Sequence, residues 1–219
     1  MHRRLMLKHS LAAMFGITLG AAKTVTGHGL FKTKRPTCGA RCPHFNYDNA
    51  MATPNKWGGP NTIDGHTHLT YYIASRDDDI DANLWDKEII QSFNCWAKVS
   101  NLSFSRTANH KATDIFMGVS GKRKHGFGRQ GNTLAWAQLP ASYQYDGQLW
   151  TMFDQAERWI TDPTERGVLF RAVCAHEIGH LLGLDHSQHE NALMYPYINN
   201  SLKPKEDDIK KIQKLYGKK

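Results

Sequence analysis

Three histidines, a glutamate and a glycine fall at fixed intervals in the run His176-Glu177-Ile178-Gly179-His180-Leu181-Leu182-Gly183-Leu184-Asp185-His186 of this 219-residue chain. On a helix, His176 and His180 stand about 40° apart around the axis, so both imidazoles reach one ion. Gly183 takes the left-handed conformation readily and turns the chain back, which lets His186 arrive as a third nitrogen ligand. Three nitrogens leave one tetrahedral position open, the arrangement of a catalytic rather than a structural zinc. Zinc held this way lowers the pKa of a bound water to about 7 and polarises a carbonyl, while Glu177 is placed to take the water proton and pass it to a leaving amine. By composition, the five fixed positions would arise by chance in on the order of one chain in 10⁴. A buried Glu177 with no cation nearby would be costly, which counts against reading the three histidines as ordinary core or surface residues.

That spacing needs a helix to carry it. Val168–Leu182 is apolar on nearly every face, which predicts a buried helix stopped by Gly183. A second helix is predicted over Asp81–Asn101, with Trp85, Ile89, Phe93 and Trp96 on one face. Asp77, Asp78, Asp79 and Asp81 cluster at its start, where free amides and the helix dipole favour anions; a solvated, capped helix end is preferred to a calcium site there. Strands are expected at His68–Ala74, Leu102–Arg106, Asp114–Val119, Thr133–Leu139 and Gln148–Asp154. Cys174 lies about 200° around the helix from His176 and faces away from the metal. Spacing leaves a pairing of Cys174 with Cys95 open.

With hydrophobic residues at 40% and charged residues at 22%, the composition is that of a globular domain and excludes intrinsic disorder. The net charge of +8 sits at the front: Arg3, Arg4 and Lys8 face no acid in residues 1–22, and five bases face Asp48 in residues 23–50, which leaves +1 for residues 51–219. The main domain is nearly neutral, so nucleic-acid binding is excluded as a reading. Lys122, Arg123, Lys124 and Arg129 read as a solvated loop rather than a polyanion surface. Residues 1–22 read as an export signal: a basic start, an apolar stretch from Leu11 to Ala22, and small residues at its end. That stretch is shorter than the roughly 20 residues of a spanning helix. Arg3-Arg4-Leu5-Met6-Leu7-Lys8 also resembles a twin-arginine export motif. Residues 23–54, broken by Pro36, Pro43 and Pro54, form a basic leader, and residues 55–219 form the domain. The mature protein is expected to be secreted, monomeric and not inserted in a membrane.

Ser187, directly after the third histidine, and Ala192-Leu193-Met194-Tyr195-Pro196 extend the metal motif. Together these residues resemble the catalytic domain of matrix metalloproteinases, the matrixins, within the metzincin clan. The resemblance continues through Phe93-x-x-Trp96, Leu102-x-Phe104, Leu134-Ala135, Phe153-Asp154-x-x-Glu157-x-Trp159, Asp207-Asp208-Ile209 and Leu215-Tyr216-Gly217, covering roughly residues 55–217. It implies an α+β metzincin (zincin-like) fold. Such a fold has a twisted mixed sheet, mostly parallel, with an active-site helix and a backing helix. A small C-terminal subdomain adds a Met-turn and one helix. The resemblance also implies a secreted zinc-dependent endopeptidase in which His176, His180 and His186 hold one catalytic zinc and Glu177 is the general base. A protein or peptide substrate would lie as an extended strand along Leu134 and Ala135. Met194 would form a hydrophobic floor. Pro196 and Tyr197 would wall the pocket for the residue after the scissile bond, with Ile198 where matrixins usually have Tyr. The alternative is a catalytically inactive protein of the same fold that binds peptides or inhibitors; retention of Glu177 and all three histidines argues against it.

Matrixins typically hold a second, structural zinc with three His and one Asp. Aligning those segments leaves His125 alone, with Phe127, Trp136 and Met152 at the other ligand positions, so no structural zinc is expected and the replacements are read as packing residues. Asp154 and Glu157 match the carboxylates of a family calcium site, yet the loop from Lys122 to Asn132 holds four bases and no acid; a surface Asp–Glu pair is the alternative. In the leader, Pro36, Cys38 and Gly39 fall at the offsets of the matrixin cysteine switch, in which a thiolate fills the open zinc position. The Pro-Asp that usually follows is missing, and Cys42 offers Cys38 a local disulfide instead.

Overall fold

A computed structural model describes residues 56–121, 126–140 and 147–219; the expected export signal (1–22), the leader (23–54), Cys38, Cys42 and His125 lie outside the described residues. In chain order the elements are β1 (Thr62–Ile63), β2 (His66–Ile73), α1 (Ala82–Ala97), β3 (Leu102–Arg106), β4 (Ile115–Ser120), β5 (Ala135–Ala137), β6 (Leu149–Asp154), β7 (Trp159–Ile160), β8 (Val168–Leu169), α2 (Phe170–Leu181) and α3 (Glu206–Tyr216). The main sheet runs β3-β2-β4-β6-β5, parallel throughout except for β5, which lies antiparallel to β6. β1 folds back antiparallel on the start of β2. This is the mixed, mostly parallel sheet of an α+β metzincin fold. Among the described residues, no helix is long and apolar enough to cross a membrane.

Alternation along β2 shows how the sheet is sided. Thr67, Leu69, Tyr71 and Ile73 are buried, while His66 and His68 are exposed. The inner face receives α1, whose Trp85, Ile89, Phe93 and Trp96 are each no more than 1% exposed. Tyr71 stacks on Phe93 at 4.3 Å, and Trp85 stacks on Phe170 of α2 at 3.6 Å. Trp96 Nε1 donates to Ala175 O at 2.9 Å, which ties α1 to α2 and satisfies the buried indole N–H.

Two expectations need correction. Asp81 does cap α1, accepting from the backbone N of Asn83 at 3.0 Å and of Leu84 at 3.3 Å. Asp77, however, is buried rather than solvated, because Ile80 enters the core and draws the loop inward. Its carboxylate accepts from Asp79 N, and Asp79 in turn accepts from Trp159 N at 2.9 Å. Second, Val168 and Leu169 do not open the active-site helix. They pair with Trp159 and Ile160 as β8, starting from the bond of Val168 N to Arg158 O at 2.8 Å. The pairing that spacing left open is not formed: Cys95 and Cys174 are both free and buried. Cys95 Sγ donates to Ser92 O at 3.0 Å, and burial pushes its thiol up to about 12.

Candidate metal centre

Every residue of α2 except Arg171 is buried, as its all-round apolar sequence requires. The helix ends in a Schellman turn: Leu184 N donates to Gly179 O at 2.9 Å and Gly183 N donates to His180 O at 2.8 Å. Gly183 has φ 95°, in the region that favours glycine. The last carbonyls are satisfied from elsewhere, Leu181 O by Trp57 Nε1 at 2.7 Å and Leu182 O by the Tyr216 hydroxyl at 2.9 Å.

The reversed chain brings Leu184 O to within 2.8 Å of His180 Nδ1, while Leu193 O lies 2.7 Å from His176 Nδ1. A carbonyl oxygen accepts and cannot donate, so each Nδ1 carries the ring proton and each Nε2 presents a lone pair. The two Nε2 atoms are 3.1 Å apart, two acceptors facing one another. His186 Nε2 is buried and has no hydrogen-bond partner. One ligand atom from each of the three rings lies within 4.8 Å of the others. Desolvation is the leading cause that holds the rings neutral. His176 is lowered to about 3, with His186 adding to the effect, and His186 to about 4, with Lys211 adding. His180 falls well below its ordinary 6.5. Three inward lone pairs in a buried place are unfavourable until a cation sits among them, and three neutral imidazoles suit zinc. Glu177, fully buried, follows the first of these histidines on the same helix.

The turn that carries Leu193 is itself clamped. Asp208, fully buried in the first turn of α3, accepts from Leu193 N at 2.7 Å, Met194 N at 3.1 Å and Lys205 N at 2.8 Å. Ser187 N donates to Met194 O at 2.8 Å, and Ser187 Oγ donates to Asp207 Oδ2 at 2.6 Å. Met194 has no exposed surface, and its sulfur packs against Gly179. A Cβ added at Gly179 would run into that sulfur and come within 2.9 Å of the Trp96 ring. Gly179→Ala is therefore expected to destabilise the domain by about 1–3 kcal/mol, the usual cost of overpacking. Urea unfolding measures it, and an unchanged midpoint would contradict this packing.

Beside the triad lies a narrow pocket of about 20 Å³, lined among others by Leu134, Val173, His176, Leu193, Tyr197, Ile198, Asn199 and Asn200. Leu134 and Tyr197 thus meet there, whereas Ala135 and Pro196 are outside its lining. Ala135 instead opens β5, an edge strand of the sheet. The sequence reading missed Val173, Asn199 and Asn200. Asn199 is fixed by its own bonds, its Nδ2 donating to Glu190 O at 2.9 Å and Ala192 O at 2.6 Å.

Asp154 and Glu157 are buried, so they are not a surface pair. Asp154 accepts from Gly128 N through both oxygens at 3.0 and 2.9 Å, and Glu157 accepts from Gly131 N at 2.6 Å; together they brace the glycine loop. Burial raises the Glu157 carboxyl above the usual carboxylate range. Phe127 is buried, and Trp136 lies opposite Met152 in register and stacks on Trp150 at 4.7 Å.

Comparison with known proteins agrees with this geometry. The matrixin peptidase family pattern matches residues 62–217. Matrilysin of Homo sapiens is 39% identical over 158 residues, which is 68% of this chain and 57% of that protein. Stromelysin-1 of Equus caballus is 37% identical over 160 residues, 69% of this chain and 32% of that protein. Interstitial collagenase of Sus scrofa is 36% identical over 156 residues, again 69% of this chain and 32% of that protein. The chain thus spans between about a third and just over half the length of these relatives. With a matched pattern that begins at β1, runs through the three histidines and ends just past α3, the chain belongs to the matrixin peptidase family.

Proposed function

We propose that this chain is a secreted endopeptidase in which His176, His180 and His186 hold one zinc and Glu177 is the general base. The observation that carries this reading is the convergence of three neutral, buried imidazoles, two of them with their tautomers fixed by backbone carbonyls. Zinc, when bound, supplies Lewis-acid polarisation of the scissile carbonyl and acidifies water. Leu193 O and Leu184 O keep the Nε2 lone pairs of His176 and His180 turned inward. The Glu177 carboxylate takes a proton from the attacking water and returns it to the leaving amine. Among the described residues β5 pairs with a strand on one side, and its other edge takes an extended peptide in this reading, while the pocket at Leu134, Val173 and Tyr197 takes the side chain after the scissile bond. Asp154 and Glu157 brace the glycine loop through their bonds to Gly128 and Gly131.

Residues 1–22 are proposed as the export signal and 23–54 as the leader whose Cys38 keeps the enzyme latent. Cys38→Ala in the full-length form is then expected to be active without processing, and Cys42→Ala is not. Equal latency of both variants and the parent would point to a disulfide or to steric blocking. The function itself is tested by incubating the mature protein with a proteome-derived peptide library. Cleavage is expected, with loss on chelation and recovery on adding zinc. A zinc-loaded protein that binds peptides without cutting any would select the inactive, binding alternative. Metal analysis after gel filtration is expected to give about one zinc per chain.

A further inference from the structure

On the face of the sheet opposite the helices, β2 and β3 bring together two histidines, an asparagine and two serines that the proposed hydrolysis does not use. His66 and His68 are two apart on β2 and so share its exposed face. In the parallel register, Ser103 stands beside His68 and Ser105 beside Thr70. The tight turn at Asp64 and Gly65, both at positive φ, presents Gly65 O to Asn101 Nδ2 at 2.8 Å. That bond orients the Asn101 amide, so its oxygen faces His66 Nδ1 at 2.9 Å. An amide oxygen accepts and cannot donate, which puts the proton of a neutral His66 on Nδ1 and leaves Nε2 as a lone pair. This lone pair points at Ser103 Oγ, 2.7 Å away. His68 Nδ1 lies 2.8 Å from the same oxygen, and its Nε2 is 2.9 Å from Ser105 Oγ.

Two imidazole nitrogens from different rings therefore converge on the Ser103 hydroxyl oxygen, and the outer nitrogen of each ring rests on an oxygen able to accept its N–H. Outer-shell acceptors of this kind are what fix the tautomer and direction of metal-binding histidines. We propose that His66 and His68 form a surface site for a divalent transition metal, with Ser103 Oγ and water completing its coordination. On binding, the His68 proton moves to Nε2, where Ser105 Oγ accepts it, and His68 Nδ1 joins His66 Nε2 as a ligand. Two imidazoles and a neutral hydroxyl suit zinc, nickel or copper and not calcium or magnesium, which need several oxygen ligands, carboxylates foremost. Being solvent-exposed and holding its ion by only two imidazoles and a neutral hydroxyl, the site exchanges that ion freely, so it fills in a titration and empties on gel filtration.

The test is calorimetric titration of Ni2+ into the full chain already loaded with zinc. One binding event is expected that weakens at least tenfold in His66→Gln and in His68→Gln, and persists in His110→Gln, a control at an exposed histidine whose ring lies against Tyr72, and in Glu177→Ala. The last variant separates this site from the proposed catalysis. Both histidine variants are exposed surface changes, and unaltered circular dichroism confirms their folding. Ca2+ is expected to give no heat at the site. Isotherms of the two histidine variants that superimpose on the parent's, or no Ni2+ binding at all, would overturn the proposal.

Discussion

Glu177→Ala is expected to lower kcat/KM for peptide hydrolysis by about 10²–10⁴-fold, the usual contribution of a positioned general base, while zinc content and fold persist. The expectation that zinc stays follows from how the ligands are held. His176 is directed by Leu193 O and His180 by Leu184 O, and neither bond involves Glu177. The segment that brings in His186 is set by the Schellman turn at Gly183 and by Ser187 bonding to Met194 O, again without Glu177. Removing the carboxylate thus takes away the proton carrier and leaves the metal site intact. Kinetics on a peptide substrate, with zinc measured in the same samples, separates the two effects. Turnover near the parent's would remove Glu177 from the mechanism. Loss of zinc in step with activity would make it a structural member of the centre instead.

What could be read from sequence was local. His176, His180 and Gly183 lie within about two helical turns, and an i, i+4 pair followed by a left-handed glycine has a single geometric consequence, so the candidate metal-holding pair and the turn after it were legible. Their supports were not. His176 is oriented by Leu193 O, 17 residues on, and the carboxylate that fixes that turn comes from Asp208, another 15 residues away. No periodicity links such partners; the family pattern held the residue without assigning it a role. Val173, Asn199 and Asn200 were missed for the same reason, since the pocket forms only when α2 and the segment after Met194 fold together. The start of α2 failed differently. Val168, Leu169 and Phe170 are all apolar, and an unbroken apolar run carries no phase to separate a strand from a helix. For Asp154 and Glu157 the carboxylates were noticed, but their amide partners belong to glycines, which carry no side-chain signal at all.

Asp208→Ala is expected to destabilise the domain by several kcal/mol and to weaken zinc binding by about 10- to 100-fold, although Asp208 is not a metal ligand. Its carboxylate is fully buried and receives three backbone N–H groups, two of them from the turn at Leu193 and Met194. Truncation leaves those donors without acceptors in a place water does not reach, at a cost of about 1–3 kcal/mol for each. Freed of its clamp, the turn no longer holds Leu193 O against His176 Nδ1, and the ring loses the partner that keeps its Nε2 turned toward the metal. Asp208→Asn keeps the shape and one accepting oxygen, so an intermediate loss is expected. Its neighbour provides the control. Asp207 meets Ser187 Oγ and the half-exposed Lys211 Nζ, the latter at 2.8 Å, and Asp207→Asn is expected to cost about 1 kcal/mol or less. Urea unfolding of the zinc-loaded protein and zinc competition against a chelator measure both quantities. Equal effects at positions 207 and 208 would refute the assignment of Asp208 as the residue that positions the Met-turn, whereas a selective loss at 208 would establish that the third helix sets the geometry of a metal site on the second.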